Sequence, residues 1–390
     1  MVNPFKYTCL FGGGAIRGLA YVGAIRAMEE LGIDYDIIGG SSVGSIFATL
    51  LACGYKSYEL EKLFLRVNFD LFRDIHFGFG RNIALSKGEV FEDWLEELIS
   101  QKIKTSEKPL TFDELEKTLV IITTNLKTFN TQEFSKIETP EFEIAKAIRI
   151  SSSMPGLMPP YQYNGAELVD GDLQKAAPMW KLADSLNNSE SRVLEFRLEG
   201  ECDKNNKNPL AFINTIYSCV TDVATDFVSE IYGQNDHYDC IKINTGNIFF
   251  ADFNLDKESR RKLIQSGYEQ TMKYFKEILP EKKRKLEEIY TTIHKQLKSI
   301  SKGLFLNDVE EVQWWMGELF ILLCENKEII DPNIYNLIVS FKNAIKSSIA
   351  TRFFFHSKFK DVKVLKTTTK ALLEVIENRL TETRLYLQSL

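Results

Sequence analysis

Gly12-Gly13-Gly14-Ala15-Ile16-Arg17-Gly18 and, further along, Gly40-Ser41-Ser42-Val43-Gly44 each follow an apolar run and open a periodic apolar stretch. This pattern encodes a sharp turn from strand into helix, because glycine turns the backbone where a Cβ would clash. The second stretch has the G-x-S-x-G form of a nucleophile elbow, which presents a hydroxyl, here that of Ser42, at a strand's carboxyl end. The helix that follows aims its positive end at the same place. The first loop, at the parallel position of the neighbouring strand, offers bare amides at Gly13, Gly14 and Ala15, with that of Val43 next to Ser42 itself. Gly12, Gly18, Gly40 and Gly44 shape the two turns. A hydroxyl facing a nest of amides can attack a carbonyl and stabilise the oxyanion that results.

Each half has a plainer reading. G-x-S-x-G alone also occurs as a tight turn, and a glycine-rich strand-to-helix loop is commonly a phosphate or dinucleotide cradle. Gly12, Gly14 and Gly18 mimic a dinucleotide loop, with Asp34 or Asp36 at about the ribose-binding spacing. Against that, the strand that should end in the ribose acid runs on from Tyr35 to Ile38, straight into the Ser42 elbow.

A third segment completes a different constellation. Ala145 to Ile150 reads as the end of a helix and leads into Ser151-Ser152-Ser153-Met154-Pro155-Gly156-Leu157-Met158-Pro159-Pro160, and then into Leu168-Val169-Asp170-Gly171-Asp172. A Ser–His–Asp triad needs a histidine. The four present, His76, His237, His294 and His356, stand outside Gly/Asp-rich turns. Asp170, by contrast, follows the apolar strand Ala166 to Val169 and precedes Gly171, so it sits at a strand end, where the active sites of parallel sheets gather. A turn-forming Asp-Gly is the structural alternative.

Taken in this order, the triple-glycine loop with its basic residue, the G-x-S-x-G elbow, the R-x-S-S helix end with its prolines and the Asp-Gly turn resemble the patatin-like phospholipases. The resemblance covers about residues 5–280 and includes Thr245-Gly246, Phe253-Asn254-Leu255 and Gly267-Tyr268-Glu269. It implies a three-layer α/β fold around a mostly parallel sheet. It also implies a serine ester hydrolase of phospholipase A type, in which Ser42 forms an acyl-enzyme and Asp170 acts as base and then acid. Arg17 holds the family's basic position, where it steadies the loop or meets a phosphate. No cofactor is implied. Asp172 departs from the family's Asp-Gly-[Gly/Ala] turn; a second carboxylate there would raise the pKa of the first or face solvent. A general carboxylesterase or thioesterase on small acyl groups, and a sensor or scaffold that keeps the fold without the chemistry, remain alternatives, with nucleotide binding behind them.

Length and composition agree with a globular chain: 390 residues, 44% hydrophobic and 26% charged. The amino terminus has no basic region followed by a long apolar run, so no secretory signal is expected. The most apolar run, Trp314 to Cys324, contains Glu318 and is too short to span a bilayer. Cys9, Cys53, Cys202, Cys219, Cys240 and Cys324 show no metal-ligand spacing; several lie in apolar stretches, and they read as reduced buried thiols. No metal is expected. The expected location is cytoplasmic and peripheral at membranes, and delivery as a secreted effector would leave the same composition. The net charge of −6 is uneven: residues 281–390 hold 18 Lys and Arg against 14 Asp and Glu, about +4, which leaves about −10 for the rest. A basic tail suits anionic lipid or docking on its own acidic body.

Periodicity predicts strands at Phe5–Phe11, Ile33–Gly39, Leu119–Asn125, Arg192–Leu198 and Tyr238–Asn244. It predicts helices at Leu19–Leu31, Val43–Cys53, Val90–Ile103, Phe142–Ile150, Leu210–Tyr232 and Leu255–Leu279. Residues 1–280 are thus expected to form the catalytic domain and 281–390 a helical extension. In the extension, Leu286, Ile289, Ile293, Leu297 and Ile300 form one stripe that Gly303 should end. Helices at Val309–Asn326, Asn333–Ile349 and Val362–Leu387 follow, with no strand between them. The stripe is core or an oligomer seam, and the extension suits a lipid gate, a protein activator or a homodimer. Two aromatic segments are candidates for lipid contact or core: Phe69 to Gly80 around His76, and Arg352 to Lys360, where cations alternate with aromatics. A phospholipid or related lipid ester is the expected partner; nucleic acid is not.

Overall fold

The computed structural model describes residues 5–72, 84, 86–103, 109–174, 191–200, 215, 235, 237–249, 252–350, 358–359 and 362–389. It divides into two compact units, one reaching from the amino-terminal region to Tyr274 and the other covering Phe275–Leu390.

In the first unit, β1 (Lys6–Phe11) runs through a 3₁₀ turn (Ala15–Leu19) into α1 (Ala20–Glu30). Strand β2 (Asp34–Ser41) runs into α2 (Val43–Ala52). Next come α3 (Ser57–Phe64), α4 (Glu89–Lys102), β3 (Thr118–Asn125), β4 (Asn130–Ser135) and α5 (Ile144–Ser151). The unit continues with β5 (Tyr161–Tyr163), β6 (Ala166–Asp170), β7 (Ser191–Glu199), β8 (Tyr238–Asn244) and α6 (Lys257–Lys273). The strands form one sheet in the order β5-β6-β3-β2-β1-β7-β8, with β4 also on β3. The five strands β3, β2, β1, β7 and β8 are parallel, and their apolar faces are buried as a parallel sheet requires.

Three strands, β4, β5 and β6, are antiparallel additions around β3. Their registers explain how the site forms. Along β3, Thr118 to Ile122 pair with β2, and Thr123 to Asn125 pair with β6, while β4 pairs across both stretches from Val120 to Asn125. Strands β2 and β6 therefore share the edge of β3 opposite β4 and meet head-on, Ser41 facing Ile122 and Asp170 facing Thr123. The sequence places Asp170 at a strand end, and it is at one, but the strand runs against its neighbours. It reaches the carboxyl ends of the parallel strands only because β2 stops where β6 arrives. A Cβ on Gly171 would lie 2.0 Å from the Ile122 carbonyl, so the chain leaves β6 too close to β3 for any larger residue.

The second unit consists of α7 (Leu279–Leu306), α8 (Val309–Glu325), α9 (Pro332–Ser348) and α10 (Val362–Ser389). A two-residue antiparallel pair, Ile349–Ala350 with Lys358–Phe359, interrupts the all-helical pattern between α9 and α10. The expected stripe from Leu286 to Ile300 is buried in this unit's own core, together with Val312, Leu319, Ile338 and Ile376. Gly303 does not end α7. The helix runs on to Leu306 and closes at Asn307 in the left-handed basin. Gly303 lies inside it, where a Cβ would sit 2.7 Å from Val312 Cγ2, so its task is to let α8 come close. Among the described residues, no helix is long and apolar enough to cross a membrane. The expected helix at Leu210–Tyr232 and most of the segment Arg352–Lys360 lie outside the described residues, as do Ile75 to Gly80.

Candidate active site

Ser42 stands between β2 and α2 with φ 51° and ψ −129°, a conformation that a non-glycine residue adopts at a cost of about 1–3 kcal/mol. Two neighbours force it there. A Cβ on Gly44 would fall 2.0 Å from the Phe11 carbonyl oxygen, and one on Gly40 would fall 2.4 Å from Gly44, so both flanking glycines are required by close backbone approach. The Ser42 amide donates to Ser151 Oγ at 2.9 Å, and that hydroxyl in turn donates to the Ile122 carbonyl at 2.6 Å. Ser151 therefore ties the elbow to β3. The Ser-Ser pair closing α5 was the only sequence signal of that role.

Ser42 Oγ donates to Asp170 Oδ2 at 2.8 Å. Asp170 is buried, and its other oxygen, Oδ1, accepts the Asp172 amide at 2.8 Å. The carboxylate is thus oriented by its own turn, leaving Oδ2 for the serine. Among the described residues, no histidine lines this site: His294 pairs with Glu377 in the helical unit, and His237 is buried just before β8. Nor does any group of three His, Cys, Asp or Glu side chains there have metal-binding geometry.

The glycine loop after β1 divides into an inner and an outer half. Gly12 donates its amide to the Phe196 carbonyl, and its own carbonyl accepts the Tyr21 hydroxyl at 2.8 Å. Burial, followed by the charges of Asp172 and Glu195, pushes the Tyr21 phenol well above its ordinary value, so it remains a neutral donor. Gly13 is buried and donates to Asp172 Oδ1 at 2.9 Å. Gly14 (φ 150°) and Ala15 (φ 48°) are partly exposed. Arg17 folds back on this loop, its Nε donating to the Gly14 carbonyl at 3.3 Å. Gly18 lies against the Val43 side chain, where a Cβ would come within 2.4 Å. Ala15 and Val43 each begin a helix, and first-turn amides have no acceptor within their own helix.

A cavity of about 440 Å³, within the size range of small-ligand sites, opens on Ser42, Asp170, Ala15 and Val43. Its walls are apolar: Ile16, Leu19, Ile46, Phe47, Phe64, Phe69, Phe72, Phe91, Trp94, Met154, Leu157, Met158 and Phe253 contribute. Phe47 and Phe64 rings lie 5.0 Å apart, and Phe72 and Trp94 rings 4.9 Å. Of the Phe69 to Gly80 segment, Phe69 and Phe72 are thus cavity wall. Buried Arg260 fixes part of this wall, since its Nη1 donates to the carbonyls of Phe64 (2.9 Å) and Val67 (2.7 Å) and its guanidinium lies 4.9 Å from the Phe69 ring centroid. Arg149, from the R-x-S-S motif, is buried as well and donates to Ser153 Oγ and the Lys87 carbonyl, holding the loop that carries Met154 to Met158.

Among the described residues, no cysteine lines this cavity. Cys9 and Cys53 are buried, Cys240 is half-buried and Cys324 is exposed on α8, against the expectation for a residue in an apolar run; Cys202 and Cys219 lie outside the described residues. Burial pushes the Cys53 thiol up to about 12, which leaves it protonated and unreactive.

Known proteins share both motifs and fold. The patatin-like phospholipase family model matches residues 10–181. The uncharacterised protein R571 of Acanthamoeba polyphaga mimivirus is 32% identical, over 68% of this chain and 92% of its own length. Lysophospholipase NTE1 of Kluyveromyces lactis is 30% identical over 44% of this chain, a match that spans 11% of that much longer protein. Among solved structures, VipD from Legionella pneumophila aligns over 98% of this chain and 90% of its own with a TM-score of 0.51 at 15% identity, a likeness of fold. The chain belongs to the patatin-like phospholipase family, a class of lipid hydrolase.

Proposed function

We propose that the protein cleaves acyl esters of phospholipids, a phospholipase A-type reaction, through a Ser42–Asp170 dyad. The observation that carries this reading is the 2.8 Å hydrogen bond between Ser42 Oγ and Asp170 Oδ2 at the mouth of an apolar cavity. Asp170 takes the hydroxyl proton as Oγ attacks the ester carbonyl, and the tetrahedral oxyanion is met by the amides of Gly14, Ala15 and Val43. The proton then passes to the departing alcohol, and water, activated by the same carboxylate, releases the fatty acid. The acyl chain occupies the aromatic and aliphatic cavity, which favours a lipid over a small ester. Contact with a membrane surface follows from where such a substrate resides.

A fluorophosphonate probe followed by peptide mapping tests the nucleophile, and fatty-acid release from phosphatidylcholine, phosphatidylethanolamine and phosphatidylglycerol vesicles tests the substrate. Labelling is expected at Ser42, with both labelling and release lost in Ser42→Ala. Labelling at Ser41, Ser45 or Ser151 instead, or release that survives Ser42→Ala, would overturn the dyad.

A further inference from the structure

Asp172 stands where the resembling family has glycine or alanine, and it is not turned to solvent. It is buried, and one oxygen, Oδ1, accepts both the Gly13 amide (2.9 Å) and the Ser41 hydroxyl (2.9 Å). Its own amide holds Asp170 Oδ1. One residue thus touches the ends of three strands: the loop after β1, the last residue of β2 and the last residue of β6. A Cβ on Gly13 would lie 2.5 Å from the Asp172 carboxyl carbon, so with this carboxylate in place the loop can carry only glycine there.

We infer that Asp172 is a positioning residue that sets the glycine-rich loop, drawing the Gly13 amide inward so that Gly14 and Ala15 turn outward to the reacting carbonyl. This rests on the dyad reading above. Of the loop amides expected to meet the oxyanion, that of Gly13 is spent on Asp172, and of the loop residues Gly13, Gly14 and Ala15 it is Ala15 that lines the cavity with Ser42 and Val43. Burial separates the same two sets: Gly13, Ser41 and Asp172 are buried, whereas Gly14, Ala15, Ser42 and Val43 are partly exposed. The Asp172 side chain makes these contacts on the buried side, to the loop through Gly13 and to the end of β2 through Ser41.

Full-length Asp172→Ala and Asp172→Asn separate this role from simple packing, because asparagine keeps an acceptor oxygen for both donors. With a soluble short-chain ester, Asp172→Ala should lose about tenfold to a hundredfold in kcat, the scale of a misplaced oxyanion donor. Its KM should move by less than about twofold, since only the transition state uses these amides. Asp172→Asn should recover most of the loss. Hydrogen exchange at the Gly13 amide should accelerate in the alanine variant and not in the asparagine variant. Unchanged kcat in Asp172→Ala, or an asparagine variant as impaired as the alanine one, overturns the inference. If Ser42→Ala proved active, the dyad reading would fall. The exchange comparison would still decide whether Asp172 holds the loop, unchanged Gly13 protection in Asp172→Ala counting against it.

Discussion

At the rim of the sheet, Ala15 and Ser42 hold positive φ angles of 48° and 51° in residue types that resist them. In the helical unit, the one described non-glycine residue with positive φ is Asn307, at a helix end where asparagine is readily accommodated. The contrast extends to the polar groups. The strand ends bury Ser41, Asp170 and Asp172 in one connected network, while α8 opens with Asp308 capping the amide of Glu311 and α9 with Asp331, which caps Asn333 and also pairs with Arg379. The described helices of the second unit mostly follow local capping rules and bury their apolar stripes in one core. The strand ends break those rules, and chains keep such violations where chemistry needs them.

The sharpest way to break this contrast is at the strand ends. Asp170→Asn keeps the shape and removes the proposed base, so ester hydrolysis should fall by ~10²–10⁴-fold while the thermal midpoint stays near that of the parent. Stopped-assay rates beside a calorimetric scan provide the check, and a variant retaining more than about a tenth of the parent rate removes Asp170 from the base role. Leu297→Ala should do the converse. Leu297 is wholly buried in the core of the helical unit, and its truncation should cost about 2–5 kcal/mol in denaturant unfolding. A loss well under that range would mean that the stripe is not core. The smallest effect belongs to Asn307. Substitution by alanine should cost about 1 kcal/mol, whereas glycine should be neutral or slightly stabilising, because the position needs positive φ and no Cβ penalty. Equal behaviour of the two variants in urea titrations would contradict the left-handed cap.

The two units were also legible to different degrees. In the helical unit, the apolar spacing from Leu286 to Ile300 gave the helix and its buried face, but Gly303 was misread as a stop, since a glycine serving close packing and one serving a cap look alike in one dimension. In the sheet, the glycine loops gave β1 and β2 with their helices almost to the residue. The antiparallel strands Asn130–Ser135 and Tyr161–Tyr163 escaped notice because they are short and half-polar, and nothing near Ala166 to Asp170 announces direction. Asp172 was visible only as a departure from a pattern. Its partners, Gly13 and Ser41, stand 159 and 131 residues away and meet it through register alone.

The head-on meeting of β2 and β6 along β3 has a consequence for biosynthesis. A chain growing on the ribosome possesses Ser42 long before it possesses Asp170, which follows 128 residues later. At about 5–20 residues per second, that interval is roughly 6 to 25 s. Until β6 has been made, the hydroxyl proposed as nucleophile lacks the carboxylate it meets in the folded protein.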